Sequence, residues 1–168
     1  MNLLNKKFFL NPTLDVAKAL LGKSISIGKY QGIITETEAY FGDDPASHGA
    51  CGLTKRNAPM FESGGIAYVY IIYGIHHCLN FVCDKEGFPA AVLIRGIHIF
   101  NNDDVLKLDG PGKICKFLNI DREDNYKSLL DGSFITLYDN ENSVKIKSTP
   151  RIGITKNKDA PWRFVMEN

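Results

Sequence analysis

Between Asn11 and Lys23 the apolar positions Leu14, Ala17, Leu20 and Leu21 recur at the spacing of one helical face, which predicts a first helix. Thr13 or Asn11 is its expected cap and Gly22 its expected stop. From Ser24 to Gly28 the period drops to two, as in a half-buried strand, and Gln31–Tyr40 predicts a longer strand after it. Gly42 to Gly65 has no period and is rich in Gly, Pro, Asp, Ser and Asn, so it predicts a long surface excursion. Loops of that length are uncommon in compact domains and often functional. The densest β signal is the pair of runs Ile66–Tyr73 and Ile75–Cys83, which predicts a protruding hairpin turning at Gly74. A further strand is predicted over Pro89–Ile99, with Arg95 set in an apolar run. Pro111 favours a helix start within Asp109–Lys113, and Ile114, Phe117 and Leu118 follow on one face. A short helix over 122–130, late strands over 133–138, 143–147 and 151–154, and a closing segment at 161–165 complete the pattern. It predicts one α+β domain over 1–168, a curved and mainly antiparallel sheet with flanking helices.

The composition narrows the class further. A chain of 168 residues buries roughly 70% of its unfolded surface and needs no staple to fold. With 44% apolar, 11% aromatic and 23% charged residues it is neither disordered, fibrous nor disulfide-built. No apolar run approaches the ~20 residues of a membrane span. The first fifteen residues have only a short apolar patch and no small-residue cleavage site, so the expectation is an intracellular protein that is not secreted. Cys51, Cys78, Cys83 and Cys115 are irregularly spaced and read as free thiols. A zinc site from His48, Cys51, His76 or His77 and Cys78 would lack any recognised spacing, and neither metal nor cofactor is expected.

The net charge of +1 conceals a division along the chain. Residues 1–35 carry five basic and one acidic residue, and 143–168 carry six and two, whereas 36–100 carry four and seven and 101–142 five and nine. A face able to meet a polyanion therefore requires the fold to bring both ends together; scattered solvated charges are the plainer alternative.

Three features resist a purely structural account. Glu36 and Glu38 lie two apart in a strand and so face the same way, at the entry to the long polar loop. Tyr68 and Tyr70 share one strand face, with Tyr68 expected in the core. Tyr73 sits beside the hairpin glycine, where little can cover a ring. An exposed rigid aromatic on a turn suits insertion between stacked bases. Arg95, amid apolar residues, must be paired, and Glu36 or Glu38 is the available partner. That pair is either a structural ion bridge or a device for holding and polarising water.

The blocks Glu36-Thr-Glu-Ala-Tyr40, Tyr68-Val-Tyr-Ile-Ile-Tyr-Gly74, Val92-Leu-Ile-Arg95, Gly110-Pro-Gly-Lys113 and Arg151-Ile-Gly153, with Arg56-Asn, Met60-Phe, Asn80 and Trp162-Arg-Phe164, occur in that order. Together they resemble the alkyladenine (methylpurine) DNA glycosylase family over about Asn11 to Val165. The resemblance implies a monofunctional base-excision enzyme that removes alkylated or deaminated purines (3-methyladenine, hypoxanthine, ethenoadenine) from double-stranded DNA, leaving an abasic site. It implies Glu38 as general base, with Arg95 and the Ile152 carbonyl holding the attacking water. Tyr40 and His48 match residues that stack on one face of the flipped base, and Tyr70 the residue on the other. Asn80 matches the pocket residue that disfavours the amino group of guanine. Tyr73 matches the side chain that fills the vacated stack, and Thr54, Arg56 and Lys113 fall in phosphate-contacting segments. A cytoplasmic, nucleoid-associated monomer of bacterial type, with no membrane partner, is the corresponding expectation. Compared with the mammalian branch, the Glu38–His48 interval is one residue shorter, and Gly74-Ile-His-His replaces bulkier residues.

Elementary chemistry points the same way. A glycosidic bond inside a duplex is unreachable until the nucleotide is rotated out, at a few kcal/mol. Stacking on aromatics returns roughly 1–3 kcal/mol per contact, enough to offset that cost. The rival classes are a non-catalytic single-strand-binding module using the tyrosines as a platform, and a metal-dependent nuclease using Glu36, Glu38, Asp43 and Asp44.

Overall fold

The computed structural model describes residues 2–141 and 143–167. In chain order the elements are β1 (Asn2–Leu3), α1 (Lys6–Phe9), α2 (Thr13–Ala19), β2 (Ser24–Ile27), β3 (Tyr30–Phe41), β4 (Ala67–Ile72), β5 (His76–Val82) and β6 (Ala90–Asn101). They continue as β7 (Asp104–Asp109), α3 (Pro111–Leu118), β8 (Thr136–Asp139), β9 (Ile146–Thr149) and β10 (Arg163–Met166). Single 3-10 turns lie at His48–Cys51, Ala58–Phe61 and Arg122–Asp124. The strands form one antiparallel sheet with few helices, an α+β arrangement. Among the described residues no helix is long and apolar enough to cross a membrane.

β3 and β6 form the spine, paired from Gln31↔Phe100 to Phe41↔Ala90. Each long strand divides its outer edge between two neighbours. β3 pairs β2 through its first residues and β10 through Glu36–Glu38, while β6 pairs β5 at Ala91–Leu93 and β7 from Gly96 onward. The spine is bulged on both sides of Glu36. Gly96 faces the bulge, where a Cβ would lie 2.6 Å from the Thr35 hydroxyl and 2.9 Å from the Glu36 Cβ, so a side chain would push the strands apart.

Alternation then assigns each face its work. Ala39, Val69, Leu79, Phe81, Val92 and Ile94 point into the main core with residues of α2 and α3. The intervening positions Tyr68, Val82 and Ala91 face the other way and join Met60 in a second, smaller cluster. Burying one such side chain contributes about 1.5–3 kcal/mol, so a strand is held to this register on both faces.

The structure departs from the sequence expectations at particular points. Helix α2 starts at Thr13 with Pro12 as its N-cap and no side-chain cap, and Asn11 instead donates to the Lys7 and Phe8 carbonyls at the end of α1. The helix expected over 122–130 is one 3-10 turn, boxed by Asp121 and Asp124, ended by the extended Asn125 and followed by Tyr126 at φ +66°. The strand expected over 143–147 runs over Ile146–Thr149, and 151–154 is a bend in which Gly153 has φ +73°. Strands β1 and β7 had no sequence signal strong enough to predict them. Tyr73 follows β4 rather than ending it.

Candidate active site

The sheet face opposite α2 and α3 floors a cavity of about 1250 Å³. Of the sequence-predicted site residues, Tyr40, His48, Arg56, Tyr70, Tyr73, Asn80, Arg95 and Ile152 line it, and Glu38 lies behind them against Arg95 and the Ile152 N–H.

Glu38 is completely buried. Its Oε1 lies 3.1 Å from Arg95 Nη1, the Tyr40 hydroxyl donates to its Oε2 at 3.3 Å, and the Ile152 N–H reaches both oxygens at 3.4 Å. Burial pushes the Glu38 carboxyl above the ordinary glutamate range, opposed first by Arg95, then by the Ile152 N–H, Tyr40 and Arg151. A raised carboxyl in reach of a cation is the combination expected of a proton acceptor for water. Glu36 shares the same arginine: Arg95 Nε donates to Glu36 Oε1 at 3.3 Å, and Arg163 Nε donates to the same oxygen at 2.5 Å. Both carboxylates thus lie on one face despite the bulges, and Arg95 bridges them instead of choosing one.

The segment carrying Ile152 is pinned by Arg151. Its guanidinium donates to both Asp44 oxygens, at 2.5 and 3.2 Å, and to the Ala39 carbonyl at 3.0 Å, with side-chain exposures of 0% and 1% for the pair. Its Cζ stands 4.6 Å from the Tyr40 ring and 5.0 Å from the Trp162 ring, a cation held between two aromatic faces. Asn157 also donates to Asp44. Burial alone would raise the Asp44 carboxyl, but hydrogen bonds from Arg151, Asn157 and the Ala46 N–H outweigh it and hold it below the usual range.

Across the cavity, the His48 Nδ1 lies 3.0 Å from the Tyr68 hydroxyl, and the His48 ring meets Tyr70 edge to face at 4.5 Å. Burial, aided by the Arg56 charge, pushes the His48 imidazole down to about 4, so it is neutral at physiological pH. Burial also lifts the Tyr68 phenol to about 12 and Tyr40 and Tyr70 higher still, so all three remain hydroxyl donors. Asn80, 3% exposed, donates to the Tyr68 and Cys78 carbonyls at 3.2 and 3.4 Å.

Above the cavity the β4–β5 hairpin turns through Tyr73, Gly74 and Ile75, with Tyr73 at φ +51°, Gly74 at φ +68° and the Ile75 N–H donating to the Ile72 carbonyl. The Tyr73 ring is 86% exposed. Arg56 lines the same cavity, donating to the Ile71 carbonyl at 3.1 Å and standing 5.4 Å over the Tyr70 ring. Thr54 is farther out and exchanges two hydrogen bonds with Asn57 that shape its loop. Lys113 is not in the cavity; it pairs with Asp109 at 2.7 Å on the exposed first turn of α3.

Sequence reading missed Arg163, Arg151 and Asp44 as parts of the site's frame, and Arg122 as a lining residue beside Arg56. Of the carboxylates a metal-dependent nuclease would use (Glu36, Glu38, Asp43 and Asp44), Glu38 is engaged by Arg95 and Asp44 by Arg151. Among the described residues no cluster of three or more His, Cys, Asp or Glu side chains is placed to hold a metal ion.

The comparisons with known proteins agree with one another. The family model described as "Methylpurine-DNA glycosylase" matches residues 7–168. A Sodalis glossinidius protein is 49% identical over 163 residues, covering 96% of this chain and 95% of that protein. One from Ehrlichia ruminantium (strain Welgevonden) is 50% identical, covering 98% and 89%, and one from Rickettsia felis is 46% identical, covering 98% and 93%. All three bear the name "Putative 3-methyladenine DNA glycosylase".

Proposed function

The chain belongs to the methylpurine-DNA glycosylase family, and from that premise we propose that it excises 3-methyladenine and related damaged purines from double-stranded DNA. As a DNA glycosylase it is a hydrolase of N-glycosyl bonds. The observation that carries the finer reading is Glu38, buried directly behind Arg95, which lines a cavity walled by Tyr40, His48 and Tyr70.

In this reading a purine rotated out of the duplex enters the cavity and stacks between Tyr40 and His48 on one face and Tyr70 on the other, while Tyr73 fills the space it leaves. A water beside Glu38 and Arg95 attacks the anomeric carbon. Glu38 takes the water's proton, the C–O bond forms, and the C–N bond breaks with its electron pair passing to the purine. A cationic 3-methyladenine leaves neutral; hypoxanthine or ethenoadenine leaves as its anion and takes its proton from solvent water. The Ile152 N–H and the Tyr40 hydroxyl fix the Glu38 carboxyl for this transfer. No lysine nucleophile stands in the mechanism, so the strand remains uncut at the abasic site. Asn80 would reject guanine's amino group, and Thr54, Arg56 and Lys113 would meet phosphates. The whole chain acts as one glycosylase domain and as an intracellular monomer.

The test is excision of 3-methyladenine and hypoxanthine from duplex DNA in EDTA. Release of the free base, with strand scission only after alkaline treatment, is the expected result. A requirement for a divalent ion, or scission without base release, would overturn the reading.

A further inference from the structure

Arg163, Glu36, Arg95 and Glu38 form a line of alternating charge that runs from the sheet edge into the buried centre. The contacts are 2.5 Å from Arg163 to Glu36, 3.3 Å from Glu36 to Arg95 and 3.1 Å from Arg95 to Glu38. Side-chain exposure falls along it from 22% at Arg163 through 16% at Glu36 and Arg95 to 0% at Glu38. We infer that Glu36 and Arg163 are positioning residues that set, through Arg95 and in opposite directions, the pH at which Glu38 takes up its proton. The inference rests on the reading of Glu38 as the base.

Neither outer residue hydrogen-bonds the Glu38 carboxylate in the described structure; they act on it by charge. With both present, Arg95 is shared: its Nε serves Glu36 while its Nη1 serves Glu38. Glu36 sits two residues before Glu38 and both carboxylates contact the same guanidinium, so the negative charge of Glu36 opposes ionisation of Glu38. Arg163 neutralises that charge from β10, whose register places it opposite Glu38. Remove the Glu36 charge and two arginines are left with one carboxylate between them, so Glu38 ionises more readily. Remove the Arg163 charge and two carboxylates share one arginine, so Glu38 holds its proton to higher pH. The other groups facing Glu38 are Tyr40 on β3, Cys78 on β5, and Arg151 with the Ile152 N–H in the bend before β10. Neither substitution changes any of these. A purely architectural role for Glu36 and Arg163 predicts weaker activity in both variants but no displacement of the pH profile, and none of opposite sign.

The experiment measures single-turnover hypoxanthine excision against pH for wild type, Glu36→Gln, Arg163→Met, Arg163→Lys and the double variant. Alongside it, the Glu38 carboxyl is titrated by carbon-13 NMR, its signal assigned by its loss in Glu38→Gln. The acid limb and the titration midpoint should both move down by roughly one pH unit in Glu36→Gln and up by roughly one unit in Arg163→Met. Arg163→Lys, which keeps the charge, should return the midpoint to within ~0.3 unit of wild type, and the double variant should fall between the singles. Midpoints that stay fixed, or move in the same direction in both singles, overturn the inference. If Arg163→Met does not fold, Glu36→Gln alone decides it, because that change is isosteric and partly solvated. Normal excision by Glu38→Gln would instead defeat the assignment of the base, while the NMR titration would still read the charge coupling.

Discussion

His48 and Tyr70 touch edge to face, with ring centroids 4.5 Å apart and ring planes at 69°. A base stacked between two rings needs a contact of roughly 3.5 Å on each side, or about 7 Å in all. The slot implied by the family resemblance is therefore closed in this structure, and His48 must leave Tyr70 for a base to stand between them. Its bond to the Tyr68 hydroxyl is the contact that holds it in place.

The neutral state of His48 has a measurable consequence. Its folded value of about 4 lies below the ~6.5 of an unfolded histidine, so the unfolded chain binds the proton more tightly. The stability this provides is complete above about pH 6.5 and is lost as pH falls toward about 4. In His48→Gln the melting temperature should fall less steeply across that window than in wild type, as thermal unfolding at several pH values would record. The acid limb of excision should keep its midpoint in this variant; a midpoint that moves would make His48, not Glu38, the titrating group.

Glu38 carries the opposite sign. Its carboxyl is raised on folding, so above the unfolded value of about 4.3 the ionised group costs stability, a cost that is complete once pH exceeds the folded value. Glu38→Gln should raise the melting temperature at neutral pH while lowering excision by at least ~10²-fold. Binding to lesion-bearing duplex should survive, as a gel shift would report. Near-normal excision would remove Glu38 from the mechanism.

Asp44→Ala should destabilise the fold severely. It leaves the Arg151 guanidinium buried without its counter-charge, a loss on the order of 3–5 kcal/mol. Urea denaturation would measure this, and a change below about 1 kcal/mol would mean water replaces the carboxylate at that position.

Tyr73→Ala removes a ring that is 86% exposed, so the melting temperature should stay within a degree or two. Affinity for a lesion duplex should fall roughly tenfold or more, the worth of one lost stacking contact. An unchanged affinity in a filter-binding titration would rule out insertion by this side chain.

The sequence announced the spine and the hairpin because both follow a period of two in β-branched and aromatic residues. Tyr68 at 1% exposure and Tyr73 at 86% sit where that alternation and the turn glycine placed them. The run at 122–130 misled because Arg122, Glu123 and Asp124 do open a turn, which the extended Asn125 ends and the left-handed Tyr126 turns away. Strand β7 went unseen because Val105, Leu106 and Lys107 show no alternation, and every residue of the strand except Leu108 is exposed. The Arg151 clamp was illegible for another reason. Asp44, Arg151 and Trp162 come from three distant segments, and no local pattern marks residues that meet only through tertiary packing.

The contacts that fix Glu38 and Glu36 also set an order of events. Ile152 is 114 residues from Glu38 along the chain, and Arg163 is 127 from Glu36. During synthesis, strand β3 leaves the ribosome long before the partners that line its catalytic half, and at ~5–20 residues per second the wait lasts roughly 6 to 25 seconds. Until β10 arrives, that edge of β3 is bare, and two acidic side chains stand on it. Charged residues on an unpaired edge discourage it from joining the edges of other chains. Before either serves the site, Glu36 and Glu38 thus discourage an unfinished sheet edge from pairing with other chains.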